Sequence, residues 1–410
     1  MPSLWQEKSK ENYRAEASVE KTGRKREKLT IYFVLVFAIL LTPFLLGNKR
    51  LDQKQAKLVT CIVCAVMMFL VMGFRSRELG MYDVERVYLP MFREVQKLTI
   101  PGIFVRYNII RGNFLQLFTK LFTLISKDYN WWIFVTSIPT LASMAYVTYK
   151  RGISKFACAF SFFLYMGLRL YGANFYLIRH SFAMALLLLA FDAVVDKKPI
   201  RFLIFVLLAT LFHSTALIFI VAYPLSKIKI SMKQFVMFFA GLFFVTYLSR
   251  GLLNSFFYSL GSDIYYQNYA SKTGFKSNLF ILVTLILFLL AMALSKYDFI
   301  VTKGHKTGLL SVNETHLDET LNPELCVTTV NMLEVAVFFM GMSLIISEFQ
   351  RIGFFFLAVS TVGLSNLIDA QKDKTIRLSL FLLIFAFLLV FMSNALVPEM
   401  LAPYKSWLDF

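Results

Sequence analysis

RLSLFLLIFAFLLVFMSNAL, Arg377–Leu396, is one charge followed by nineteen residues without another. At about 1.5 Å per residue, a helix of that length covers about 30 Å, the thickness of a bilayer's hydrocarbon core. Leu, Phe, Ile and Val recur on every face of it, so it has no side to turn to water. Only structures that satisfy every backbone group internally cross lipid, and a continuous apolar run of this length does so as a helix.

Comparable windows recur at 28–47, 57–74, 131–149, 156–172, 175–195, 201–223, 232–249, 278–295, 328–346 and 352–369. The expectation is an all-α polytopic integral membrane protein with about 11 (range 10–14) transmembrane helices, re-entrant segments included. Composition agrees: of 410 residues 58% are hydrophobic and 17% charged, with 44 Phe, far from the balance of a soluble domain. Residues 1–29 read as a basic tail too polar for the head of a cleaved signal peptide, and 30–410 as a single membrane domain.

The connections fall into two classes. Lysine-rich loops at 49–57, 150–155, 197–201, 227–233 and 372–377 have the character of cytoplasmic anchors. Loops near 75–127, 170–180, 250–277 and 347–351 mix Arg, Asp, Glu, Tyr, Asn and Gly, and are expected to face outward and carry the chemistry. Two features resist this topology. Placing 49–57 inside puts the basic tail outside, and segment 201–223 has basic loops at both ends with His213 near its middle. A plain crossing in which one loop breaks the charge rule is the first expectation for 201–223; a broken, re-entrant helix is the other.

Arg75, Arg77, Asp83 and Arg86 follow the second window, where guanidinium forks suit phosphate oxygens and where single arginines also snorkel to lipid headgroups. Arg179 lies a turn inside an apolar helix, a depth at which a charge needs a carboxylate partner or an anionic ligand. His180 beside it points about a hundred degrees away, as a supporting donor. His213 is either a proton carrier and hydrogen-bond donor or a satisfied core histidine. Glu348 and Arg351, three apart, form a local ion pair or half of a ligand site. His305, His316 and the Asn313-Glu-Thr315 sequon belong to a polar surface loop. Cys61 and Cys64 have CxxC spacing inside an apolar run, where small packing residues are expected rather than a redox pair, and neither they nor Cys158 and Cys326 build a metal set. No DxD-like acidic pair marks an outer loop, so no metal and no cofactor is expected. The net charge of +18 is consistent with anionic lipid or an acidic glycan, with much of it in anchors and tail, and no nucleic acid is expected.

Taken in order, Arg75…Gly80-x-x-Asp83…Tyr88, Ile178-Arg179-His180-Ser181-Phe182-Ala183, Ala209-x-x-Phe212-His213-x-x-Ala216, Glu348-x-x-Arg351 before an aromatic run, and Ala402-Pro403-Tyr404 resemble the EpsG family of bacterial exopolysaccharide and O-antigen repeat-unit polymerases, broadly Wzy-like. The resemblance runs from about residue 30 to 410. The chain departs from it in its basic tail, in Arg179-His180 where the family has Arg-Gln, and in the long 296–327 loop.

The resemblance implies a polymerase that joins undecaprenyl-diphosphate-linked oligosaccharides and releases undecaprenyl diphosphate. Its setting would be the bacterial inner membrane, with the site facing the extracytoplasmic side and a flippase and a chain-length regulator as partners. Arg75, Arg77, Arg179 and Arg351 would then hold diphosphate, Asp83 or His213 would serve as base, and His180, Glu348 and Tyr88 would support them. Tyr82, Tyr88, Tyr171 and Tyr176 would meet sugar. Rival readings are another polyprenyl-linked glycosyltransferase, a polysaccharide ligase and, in a different class, a glycan transporter.

Overall fold

The computed structural model describes residues 30–46, 51–80, 83–107, 109–228, 278–294, 321–343, 348–396 and 401–408, with isolated positions between 237 and 248. The basic tail, Tyr82, most of the expected 232–249 span, the 250–277 loop, His305, His316 and the sequon lie outside the described residues. Every regular element among the described residues is helical. In chain order, leaving aside single turns at Ile109–Arg111, Leu170–Ala173 and Ala222–Leu225, these are α1 (Thr30–Leu45), α2 (Gln53–Gly73), a π turn at Val84–Tyr88, α3 (Leu89–Lys97), α4 (Ile100–Arg106), α5 (Phe114–Thr123), α6 (Tyr129–Thr136) and α7 (Ile138–Arg151). They continue with α8 (Lys155–Gly167), α9 (Ile178–Val195), α10 (Pro199–Phe212), a 3-10 segment at Ser214–Val221, α11 (Asn278–Leu294), α12 (Pro323–Met342), α13 (Phe349–Asp369) and α14 (Lys374–Leu396).

Local sequence explains where they start. Asp52 and Gln55 form a reciprocal capping box for α2, Ser154 caps α8 through the backbone N–H of Phe156 and Ala157, and Asn322 caps α12 just before Pro323. Pro139, at the second position of α7, divides the expected 131–149 span into α6 and α7. Five helices, α2, α9, α12, α13 and α14, are long and apolar enough to cross a membrane, and α1, α8, α10, residues 214–225 and α11 are shorter apolar segments. The protein is an integral membrane protein.

Helices α8, α9 and α13 are buried almost throughout. Gly363 lets α12 and α13 close up, since a Cβ there would collide with the side chain of Thr329. On α2, Leu58, Ile62, Val66 and Leu70 leave an exposed apolar stripe at four-residue spacing, and α14 exposes Leu378, Leu382, Leu383 and Val390. These are faces that lipid covers.

Among the described residues, the two loop classes gather at opposite ends. At one, Lys57 Nζ donates to Gly152 O (2.6 Å), Asn366 Nδ2 to Arg151 O (2.8 Å) and Arg377 to Asp369 O (3.2 Å), and Lys197 pairs with Glu324 (2.8 Å). Asp192 is buried there among Lys150, Arg151 and Arg201, at 2.9, 2.6 and 3.5 Å. At the other end Tyr32 near the start of α1 donates to Leu401 O (2.8 Å), Ser76 N to Lys405 O (2.8 Å), and Tyr404 to Val71 O (3.0 Å). The first described residues therefore begin at the end opposite the 49–57 loop, as the loop pattern required and the charge of the tail did not.

Segment 201–223 is not a plain crossing. His213 takes an extended conformation (φ −149°, ψ 111°) that ends α10, and the 3-10 segment folds back along it. Phe202, near the start of α10, packs on Tyr223 at 5.3 Å and on Phe219 at 6.3 Å between ring centroids, contacts that a straight helix would hold roughly 30 Å and 25 Å apart. The result is a hairpin with both ends at the basic side and His213 at its tip. Its arms, about 21 Å each, are too short to cross the roughly 30 Å core, which is why the basic loops flank both ends.

Candidate functional site

The hairpin tip rises to the first turns of α9 and α13. Arg179 and His180 sit on α9, Glu348 and Arg351 at the start of α13, and Asp83 precedes the π turn that Tyr88 ends. The Arg179 backbone N–H donates to the Tyr88 hydroxyl (3.3 Å), and its guanidinium donates to Asn113 Oδ1 (3.4 Å). Arg351 pairs with Glu348 at 3.2 Å. His180, 2% exposed, stacks on Phe355 (4.2 Å, 10°) and donates from Nε2 to the Arg351 carbonyl oxygen (2.8 Å), a bond that requires a hydrogen on Nε2. It thereby ties the two arginine-bearing turns together. The His213 ring lies 5.6 Å from that of His180, within electrostatic reach of Arg179 and Arg351.

Asp83 completes the cluster. Burial raises its carboxyl above the ordinary value; the positive charges of Arg351 and Arg179 act against that rise, and Glu348 adds to it. Burial also raises the Tyr88 hydroxyl. Two features of this arrangement favour a bound anion. The N-termini of two long helices, the positive ends of their dipoles, converge on it, and among the described residues no carboxylate pairs with Arg179.

The structure does not bring Arg75 and Arg77 into this cluster. Arg75 is 1% exposed and directs its fork at Met72 O (2.5 Å), Ser137 Oγ (2.8 Å) and Phe175 O (3.1 Å), with its guanidinium over the Phe175 ring (5.2 Å). Burial pushes it down to about 10. Those bonds brace the end of α2 against α6 and against the 170–177 connection that leads into Arg179. Arg77 is exposed. Tyr171 and Tyr176 are buried, and the Tyr171 hydroxyl donates to Met68 O (2.7 Å). The Ala402-Pro403-Tyr404 motif straps α1 and α2 together and stands apart from the cluster.

Asn113 escaped the sequence reading. Gly112-Asn113 has the look of a turn, but no spacing ties it to a residue 66 positions on. Gly112 (φ +82°) lies against the hairpin tip, where a Cβ would stand 3.0 Å from Ser214 N, and so Asn113 comes to Arg179 and the tip at once. Phe355, the ring under His180, carries no sequence signal beyond its place in an aromatic run.

A family model described as EpsG family matches residues 57–406. No curated protein and no solved structure matches the chain.

Proposed function

Because the chain belongs to the EpsG family, we propose that it joins undecaprenyl-diphosphate-linked oligosaccharide repeat units into a bacterial surface polysaccharide, releasing undecaprenyl diphosphate. The observation that carries this reading is the meeting of Arg179 and Arg351, on two helix N-termini, with Asp83 and the tip histidine His213. A hydroxyl of the acceptor sugar attacks the anomeric carbon of the donor. The new C–O bond forms as the bond from that carbon to the diphosphate oxygen breaks, and the hydroxyl proton passes to Asp83.

The electrostatic demand is charge growing on the leaving diphosphate, which Arg179 and Arg351 meet in place of a metal. The rise in the Asp83 carboxyl makes it a better proton acceptor than an ordinary aspartate. His213, among two guanidinium groups, donates a hydrogen bond to a diphosphate oxygen without adding a third charge. Arg75, Tyr88, Asn113 and His180 position these groups. The site faces the extracytoplasmic side of the inner membrane, opposite the lysine-rich end, and the expected count of about eleven spans includes the hairpin.

Purified lipid-diphosphate repeat units supplied to membranes matched for protein amount test the reading. A ladder of repeats with stoichiometric release of undecaprenyl diphosphate is expected. One added sugar would identify a transferase instead, one capped lipid a ligase, and substrate movement without bond formation a transporter.

A further inference from the structure

The connection between the π turn and α6 is more than a polar loop. Residues 84–127 fold into three short helices with a small core of their own, in which Val95, Ile103 and Ile109 are buried. Yet the unit exposes Ile100, Phe104 and Val105 on α4, Ile110 in the 3-10 turn that follows it, and Leu124 and Ile125 just past α5, with Val105 at 90%, Ile125 at 88% and Ile110 at 77%. None of the helices exceeds ten residues, so none crosses a bilayer.

The charges of the unit are one-sided. It contains seven Lys and Arg against two Glu. Glu94 is already held by Arg106 (2.9 Å) and the Tyr107 hydroxyl (2.7 Å), while Arg93, Lys97 and Lys127 are exposed. The unit also stands at the level where helices leave lipid: Phe118 packs on Phe182 in the first turns of α9 (5.0 Å), and Phe114 on Phe212 at the hairpin tip (5.2 Å).

Short amphipathic helices with exposed apolar side chains and a basic rim lie in the membrane interface, with apolar groups in the acyl boundary and cations at headgroup phosphates. We infer that the α3–α5 unit is a membrane-surface element seated in the leaflet beside the site, with acidic phospholipid headgroups as its ligands. Its apolar side chains rest in the acyl boundary, and Asn113 and Gly112 carry its position to Arg179 and the hairpin tip.

Depth measurement tests this without reference to the reaction. Val105→Cys and Ile125→Cys, labelled with an environment-sensitive fluorophore, are placed in vesicles of phosphatidylcholine with phosphatidylglycerol, and Glu78→Cys serves as the aqueous reference. Iodide on both sides of the membrane should quench the two probes several-fold less than the reference, and a quencher attached to lipid near the headgroup should quench them strongly. Iodide access equal to that of the reference would overturn the inference. So would shielding from both quenchers, which would mean that another segment or a second copy covers the face. Omitting phosphatidylglycerol, or replacing Arg93 and Lys97 by Gln, should bring the probes outward; an unchanged signal in both cases would overturn the acidic-lipid assignment.

Discussion

On the proposed reaction, lysine should not replace Arg179. Its guanidinium reaches from the first turn of an apolar helix toward Asn113 with no carboxylate pairing it among the described residues. An ammonium in its place keeps the charge and loses the planar fork. Arg179→Ala should lower the rate of repeat joining about a hundredfold, which corresponds to about 2.7 kcal/mol of transition-state stabilisation. Arg179→Lys should recover a small fraction only, with both proteins inserted at normal levels; a near-wild-type rate for the lysine variant would remove the fork from the mechanism. Asp83 makes a second prediction, on pH. Its carboxyl is raised, so it takes up a proton at higher pH than an ordinary aspartate at 3.8, and activity should fall on acidification through that raised value. The same shift means that ionised Asp83 costs the fold stability above its unfolded value, a cost relieved as pH falls through the folded one. Asp83→Asn should abolish the acid limb of the rate profile along with most activity. An unaltered limb in the residual activity would assign it to another group.

Among the elements, the α10 hairpin ties sequence to site most directly. A crossing helix and a hairpin predict opposite locations for residues 199 and 228. Cysteines placed at both should react with a membrane-impermeant reagent from the same side, the side that also labels 150–155. Reaction of 228 from the opposite face would restore the plain crossing. Beside the Phe114–Phe212 ring contact, the hairpin tip meets the surface unit at Gly112, whose positive φ costs a β-branched residue about 1–2 kcal/mol even before its Cβ meets Ser214 N. Gly112→Val should therefore depress activity several-fold while leaving the labelling pattern of 199 and 228 intact. A variant as active as the parent would show that the tip holds its position without this contact.

At the scale of the whole molecule, the two ends divide the work. One is an ion-pair clamp around buried Asp192, the other the arginine site, and α9 runs between them. Asp192→Ala leaves Lys150 and Arg151 without that acceptor and should cost about 3 kcal/mol of stability, read as a lower melting temperature in detergent. A variant melting with the parent would show Asp196 alone to suffice for the clamp. Sequence by itself determined the helical membrane class, the near-exact windows of α1, α2, α9, α13 and α14, and the sorting of loops into a lysine end and a mixed end, because bilayer thickness and backbone hydrogen bonding leave a long apolar run few alternatives. It also brought Arg179, Arg351, Asp83 and His213 forward as candidates through short motifs. Only the tertiary structure decided that 201–223 doubles back, that Arg75 braces the chain away from the cluster, and that Asn113 belongs beside Arg179. Hydropathy is blind to direction and charge is blind to burial: a window that goes in and returns scores like one that crosses, and an arginine bonded to buried carbonyls has the same letter as one that reaches a side-chain amide beside a second arginine.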